Sequence, residues 1–173
     1  LLQSNHNSTE SDLITLLFIP KHIADESNGK IVSRIGLEAD AIIVDTQYNF
    51  FDEICSKEYK NISCIFVDEA QFLRKKQIHS LSKVADELNI PVMCYGIRTD
   101  FQGELFEGRK ELLALADNLK ELKTICSECD KKATMVVRLD SDGKILLEGK
   151  KIVIGGNEIY KTLCRTHFRE LTK

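Results

Sequence analysis

Two cysteine-containing pairs near the end of the sequence constrain the fold most. Two residues separate Cys126 from Cys129, and two separate Cys164 from His167. This gap lets both ligands of a pair face one ion, and two such pairs complete a tetrahedral zinc site. Four protein ligands leave no open coordination position. The spacing therefore predicts a structural zinc that stabilises a module too small to hold itself together by burial alone.

Two other interpretations of these pairs stay open. The pairs can be unrelated, or Cys126 and Cys129 can form a redox motif of the thioredoxin type. A redox motif normally follows a strand and opens a helix, whereas here a second ligand pair is present, which favours zinc.

Composition and charge exclude several classes of protein. The chain has 173 residues, of which 43% are hydrophobic and 29% charged, as in an ordinary globular protein. Its net charge of −3 offers no bulk attraction to nucleic acid or to an anionic membrane. The apolar runs stay short of the ~20 residues of a membrane span. Cys64 and Cys94 lie inside apolar runs, which favours free thiols in a reduced, cytoplasmic protein over disulfides.

Short apolar runs alternate with helix-like patterns over the first two thirds of the chain. Strands are predicted at 13–19, 41–44, 62–67 and 92–95, and helices at 49–58, 74–89 and 111–122. Continuous apolar strands between helices indicate a parallel sheet covered on both faces. After Leu122 the sequence changes to cysteine pairs, short β-rich stretches and glycines. We therefore predict an α/β domain at 1–122 and a small zinc-binding module at 123–173.

The strand at 62–67 runs directly into two acids, Asp68 and Glu69. Ligands bind at the carboxyl ends of parallel strands. There, one carboxylate can hold Mg²⁺ beside nucleotide phosphates, and its neighbour can act as a general base. A solvated or capping acidic pair is the plain alternative. The partner motif GxxxxGK[ST] is absent from these 173 residues, since Gly29-Lys30 is followed by Ile31 and no Lys follows Gly155-Gly156.

Five segments, in order, resemble the zinc-containing, tetrameric thymidine kinase family of bacteria and animals. They are VDEAQFL at 67–73, YGIRTDFQGELF at 95–106, LKTIC at 122–126, IGGNEIY at 154–160 and CRTH at 164–167. One departure is Asp25-Glu26-Ser27, where the family usually shows Asp-x-Arg. The family carries its phosphate-binding segment at the extreme N-terminus, followed by a helix. We therefore expect that segment upstream of Leu1, and a helix at the first residues here.

The resemblance implies a P-loop-type parallel sheet at 1–122 that binds nucleotide, and a zinc-ribbon-like module at 123–173 that carries a lasso loop. It implies ATP-dependent transfer of the γ-phosphoryl group to the 5′-hydroxyl of thymidine, in nucleotide salvage, with Mg²⁺. A homotetramer inhibited by dTTP is implied as well. Two rivals are a non-catalytic zinc-ribbon binding module and an inactive family member.

Residue roles follow from the same resemblance. Glu69 is implied as the base, Asp68 as support for Mg²⁺, and Ala70 and Gln71 as members of the same nucleotide-facing turn. Phe101 is expected to stack on thymine, although a loop Phe more often serves packing. The clasp around the base is expected from Lys151, Ile152, Val153, Ile154, Gly155 and Tyr160. Tyr160 alternatively covers the zinc module.

Overall fold

The structure, a computed structural model, describes residues 1–25, 27–33, 35–57, 59, 61–150, 153 and 159–173. The chain forms two compact units. The first comprises Leu1–Gly96 with Glu107–Leu115, and the second comprises Ile97–Phe106 with Ala116–Lys173. None of the helices in the described ranges combines the length and the apolar surface that a bilayer crossing requires.

A parallel sheet forms the centre of the first unit. In chain order the strands of this unit are β1 (Ile14–Pro20), β2 (Lys30–Val32), β3 (Glu38–Asp40), β4 (Ile42–Val44), β5 (Ile62–Val67) and β6 (Val92–Cys94). Strands β4, β1, β5 and β6 lie side by side in that order, all parallel, whereas β2 and β3 form a separate antiparallel hairpin. This arrangement confirms the predicted parallel core. The prediction was possible because apolar runs bounded by polar segments favour buried strands.

Helices surround this sheet. They are α1 (Leu2–Glu10), α2 (Lys21–Ala24), α3 (Phe50–Ser56), α4 (Lys75–Leu88) and α5 (Glu107–Leu115). Helix α3 begins at an Asn49 cap, whose side chain accepts hydrogen bonds from the Phe51 and Asp52 amides. Helix α4 ends at Asn89 in the left-handed conformation, a common helix stop. Helix α1 confirms the helix expected at the first residues.

Alternate strand residues face opposite sides of the sheet, and both sides are covered. On one side Phe18, Ile65 and Val67 lie in a cluster with buried residues of α3 and α4. On the other, Leu17 and Phe66 lie in a cluster with Ile19, Cys64, Ala24 and Ile31, against which Leu2 and Tyr95 pack. Each large apolar side chain removed from water contributes roughly 1.5–3 kcal/mol. The two clusters therefore stabilise the sheet from both sides.

The helix predicted at 111–122 was wrong at both ends, because α5 spans Glu107–Leu115. Gly108 explains the start. A Cβ on this residue would lie 2.5 Å from the Leu73 carbonyl oxygen and 2.8 Å from that of Ala70, so only glycine lets the first turn pack this closely. In a sequence, a glycine weakens a helical pattern, so the pattern alone does not indicate a helix start before Gly108. Asp117 and Asn118, weak helix formers, follow the observed end.

The second unit is built on an antiparallel sheet. Its elements are β7 (Thr124–Ile125), β8 (Lys132–Ala133), β9 (Met135–Leu139), β10 (Ile145–Leu146), β11 (Tyr160–Leu163) and α6 (Arg165–Leu171). Strand β9 lies between β10 and β11, and β7 pairs with β8. Its buried cluster is small: Cys126, Ala133, Val137, Leu163 and Cys164. So small a core gains much from a bound metal.

Candidate functional site

The acidic pair Asp68 and Glu69 lies at the carboxyl edge of the parallel sheet, immediately after β5. The Asp68 amide donates to the Phe18 carbonyl on β1 at 2.9 Å, and the Ala70 amide donates to the Tyr95 carbonyl beyond β6 at 2.9 Å. Between them Glu69 adopts the left-handed conformation with φ 48°. Few non-glycine residues adopt it, and it often marks a functional turn. Neighbouring strands thus hold this turn on both sides.

Partial burial changes the electrostatics of both acids. Burial raises the pKa of Asp68, an effect that a hydrogen bond from the Glu69 backbone opposes. Burial also raises the pKa of Glu69, and the negative charge of Asp68 raises it further, while a hydrogen bond from Gln71 lowers it. A carboxyl whose pKa moves toward neutrality is a stronger proton acceptor when ionised.

Gln71 lies in the same turn and contacts Glu69 directly. Its side chain is 1% exposed, and its Nε2 donates to Glu69 Oε2 at 2.6 Å. Gly96, just beyond β6, makes room for this amide. A Cβ on Gly96 would lie 2.0 Å from Gln71 Oε1, too close for any side chain to be added without displacement. Sequence reasoning placed Gln71 in this turn but missed both the contact with Glu69 and the role of Gly96.

Two cavities open near the carboxyl ends of β1 and β4. The smaller, about 250 Å³, is lined by Pro20, Lys21, His22, Asp25, Val44, Asp45, Thr46, Phe72, Leu73 and Gln77. His22 packs edge-on against Phe72 there, and burial lowers its pKa despite nearby Asp25. The larger, about 740 Å³, lies beside α3 and the start of α4. The lining of each cavity leaves out Asp68 and Glu69. Sequence reasoning had not singled out His22.

Cys126, Cys129, Cys164 and His167 converge in the second unit. Their ligand atoms all lie within 4.8 Å of one another. The separation is 4.0 Å between the Cys129 and Cys164 sulfurs, 3.4 Å from Cys126 Sγ to His167 Nδ1 and 3.6 Å from Cys164 Sγ to His167 Nδ1. Tetrahedral zinc with Zn–S bonds of ~2.3 Å needs ligand separations of this size. The four residues therefore form a cluster that fits a metal ion.

The surroundings of Cys126 favour the thiolate form of its side chain. Burial opposes its ionisation, but backbone hydrogen bonds from Cys164 and Glu128, together with His167, lower its pKa to about 6. Zinc binds the thiolate rather than the thiol, so this environment suits the ion.

Phe101 also belongs to the second unit, where its side chain is 3% exposed. The Arg138 guanidinium lies over its ring, 4.1 Å from the centroid. The Tyr160 hydroxyl donates to the Val153 carbonyl at 2.6 Å, so these two predicted clasp residues are in contact. The other four predicted clasp residues, Lys151, Ile152, Ile154 and Gly155, lie outside the described residues. Sequence reasoning missed Arg138, although a lone charge in the apolar strand MVVRL was the available signal.

Together these features define a mixed α/β protein, with an acidic turn at the carboxyl edge of a parallel sheet and a unit that carries a Cys₃His cluster. The sequence matches the thymidine kinase family over residues 1–168. It is 50% identical to the thymidine kinases of Shewanella oneidensis and Haemophilus influenzae, and 51% identical to that of Coxiella burnetii. These alignments cover 98% of this chain and 87% to 88% of each relative. The chain belongs to the thymidine kinase family.

Proposed function

We propose that this protein transfers the γ-phosphoryl group of ATP to the 5′-hydroxyl of thymidine, giving dTMP in nucleotide salvage. One observation carries the proposal beyond family membership. The partly buried carboxylate of Glu69 is held by Gln71 beside Asp68 at the sheet edge where ligands of parallel α/β proteins bind. A general base needs such a fixed orientation and a pKa raised toward neutrality.

In the proposed reaction Glu69 accepts the proton of the 5′-hydroxyl as its oxygen attacks the γ-phosphorus. The new bond is O5′–P, the bond between the γ-phosphorus and the bridging oxygen breaks, and ADP leaves with the electron pair. The proton rests on Glu69 until it passes to solvent. Little covalent chemistry is asked of the protein, because phosphoryl transfer depends mainly on positioning and electrostatic stabilisation.

Asp68 is the proposed support for Mg²⁺, directly or through water. Its carboxylate oxygens are the hard ligands that this ion prefers, and its amide is bonded to the end of β1 beside Glu69, at the edge where a nucleotide-bound ion is expected. When bound, Mg²⁺ neutralises charge on the phosphate oxygens. Without a counterion, two neighbouring carboxylates repel a triphosphate. Ala70, which is buried in the same turn, and Gln71 complete the proposed ATP-binding set.

The proposed nucleoside contacts belong to the second unit. Phe101 is the proposed stacking residue; because it is 3% exposed, thymine must displace one of its neighbours to reach the ring. A lasso of Lys151, Ile152, Val153, Ile154, Gly155 and Tyr160 is proposed to supply backbone groups for the fixed donor and acceptor edge of thymine. The hydrogen bond from Tyr160 to Val153 supports a lasso closed by its own side chain. The Cys₃His cluster supports a structural zinc in the same unit.

The resemblance extends the proposal to a homotetramer and to inhibition by dTTP. The proposal also includes a cytoplasmic location, because cysteines inside apolar runs favour free thiols in a reducing compartment.

A direct assay tests the proposed function. Protein expressed from the complete gene is incubated with thymidine, Mg²⁺ and ATP labelled at the γ-phosphate, and the products are separated. Labelled dTMP is expected in amounts that grow with time and with enzyme. Calorimetric binding of thymidine with no dTMP formed would instead support a non-catalytic binding module.

A further inference from the structure

Arg138 is a buried charge at the centre of the second unit. It lies on β9, the middle strand of the sheet, and its residue is 5% exposed. A guanidinium loses hydration on burial, and this costs free energy unless carbonyl oxygens or aromatic faces replace the water. The groups that contact Arg138 therefore indicate its role.

The first contact is with Phe101. The guanidinium carbon lies 4.1 Å from the ring centroid, within the range of a cation–π interaction. It covers one face of the ring and restricts how the ring can rotate. The Phe101 loop is itself ordered by Asp100, whose Oδ1 accepts from the amides of Gln102 and Glu104 at 3.0 Å and 2.9 Å.

The second contact is with the backbone that leads into the proposed lasso. Arg138 Nη1 donates to the Lys150 carbonyl at 2.5 Å, and Nη2 lies 3.5 Å from the Glu148 carbonyl. Gly149 stands between them with φ +132°, and a Cβ there would lie 2.5 Å from Arg138 Nη2. The glycine thus lets the chain pass close to the guanidinium.

The third relationship is with Tyr160. Arg138 and Tyr160 are directly opposed in the antiparallel pair of β9 and β11, so their side chains emerge on the same face of the sheet. Tyr160 in turn donates to Val153. Arg138 therefore contacts Phe101 and the Glu148 and Lys150 carbonyls, and it lies opposite Tyr160 in the sheet.

We propose that Arg138 is a positioning residue for the nucleoside, which holds the Phe101 ring and the Glu148 and Lys150 carbonyls in one arrangement. This inference rests on the proposed function. The planar fork of Arg suits the role because it stacks on a ring while donating in its own plane, which Lys cannot do. Replacing the guanidinium leaves Phe101 and the neighbouring backbone unchanged in sequence but removes the group that contacts both.

Thymidine binding by calorimetry tests this role, with protein expressed from the complete gene. Arg138→Met keeps an unbranched chain of similar length but removes the charge and the donors. We expect its thymidine Kd to rise about 10-fold or more, with zinc content and ATP Kd unchanged. Arg138→Lys should fall between Met and wild type. The matched control is Arg169→Met, an exposed arginine of α6, which should bind thymidine as wild type does.

Hydrogen exchange provides the second readout. Amides at 101–104 and at 148–150 should exchange faster in Arg138→Met than in the control. Gly149→Ala disturbs the contact between Arg138 and the 148–150 backbone without changing Arg138. It serves as the test if Arg138→Met does not fold. Wild-type thymidine affinity in a folded Arg138→Met, or in Gly149→Ala when only that variant folds, overturns the role of Arg138 alone. A wild-type protein that bound no thymidine would overturn both this role and the proposed function.

Discussion

The side-chain amide of Gln71 donates a 2.6 Å hydrogen bond to the Glu69 carboxylate, which fixes the orientation of the acid that follows β5. Three effects act on Glu69: burial and the charge of Asp68 raise its pKa, and the Gln71 hydrogen bond lowers it. The outcome is a raised pKa on a carboxylate that is held in one place. A base needs both properties at once, and one buried side chain influences both.

The first prediction concerns Glu69→Gln. Because the amide cannot accept the 5′-hydroxyl proton, we expect kcat to fall by ~10²- to 10⁴-fold while the thymidine Kd changes little. Steady-state kinetics and calorimetry measure the two quantities. Glu87→Gln, an exposed position on α4, is the control and should behave as wild type. Wild-type turnover in Glu69→Gln would mean that Glu69 has only a structural role.

Gln71→Met should move the pH profile. Without the amide donor, the ionised form of Glu69 loses a stabilising hydrogen bond, so its pKa rises further. The base acts only when deprotonated, and the acid limb of the kcat/KM profile should therefore shift to higher pH. Gln3→Met, on the exposed side of α1, should leave the profile unchanged. An unshifted acid limb in Gln71→Met would show that the hydrogen bond does not influence the titration of Glu69.

Gly96→Ala should disturb the same pair through a steric effect. The new methyl group would lie 2.0 Å from Gln71 Oε1, so the amide must move away and weaken its contact with Glu69. We expect a lower kcat. The acid limb of the kcat/KM profile should shift to higher pH, as for Gln71→Met. The double variant Gly96→Ala/Gln71→Ala removes the clash. If Gly96→Ala lowers the melting temperature as much in the Gln71→Ala background as in the wild type, the clash lies elsewhere.

Cys164→Ser tests the metal cluster. A serine hydroxyl is a poor zinc ligand compared with a thiolate, so metal analysis should find less zinc per chain than in wild type. The thermal stability of the protein should fall as well, because zinc binding free energy is folding free energy in a unit with a small core. The control is Cys55→Ser, which alters an exposed free thiol on α3. Equal zinc content in both variants would exclude Cys164 as a ligand.

Some features could be predicted from sequence because they depend on local spacing. Two ligands with a two-residue gap can face one ion within a single turn, so the pairs at Cys126 and Cys164 indicated a cluster before any fold was known. Apolar runs between polar segments likewise indicated the buried strands of the parallel sheet, and Asp68, which follows one of them, could be placed at the carboxyl edge of that sheet.

The limits of α5 could not be predicted in this way. Its start depends on Gly108 packing against the Leu73 and Ala70 carbonyls, which belong to a distant part of the sequence. Helical periodicity records which residues share a face, but not how closely another segment approaches.

The sequence by itself determined the family, the parallel core and the candidate ligands, because these follow from residue types at short spacing. Only the tertiary structure decided that Gly96 makes room for Gln71, that Gln71 holds Glu69, and that Arg138 lies over Phe101. The physical reason is that the first and third contacts join residues on different strands and loops, while the second depends on the left-handed backbone at Glu69. Their distances are set by strand register and by the packing of the two faces of the sheet, which a linear pattern does not encode.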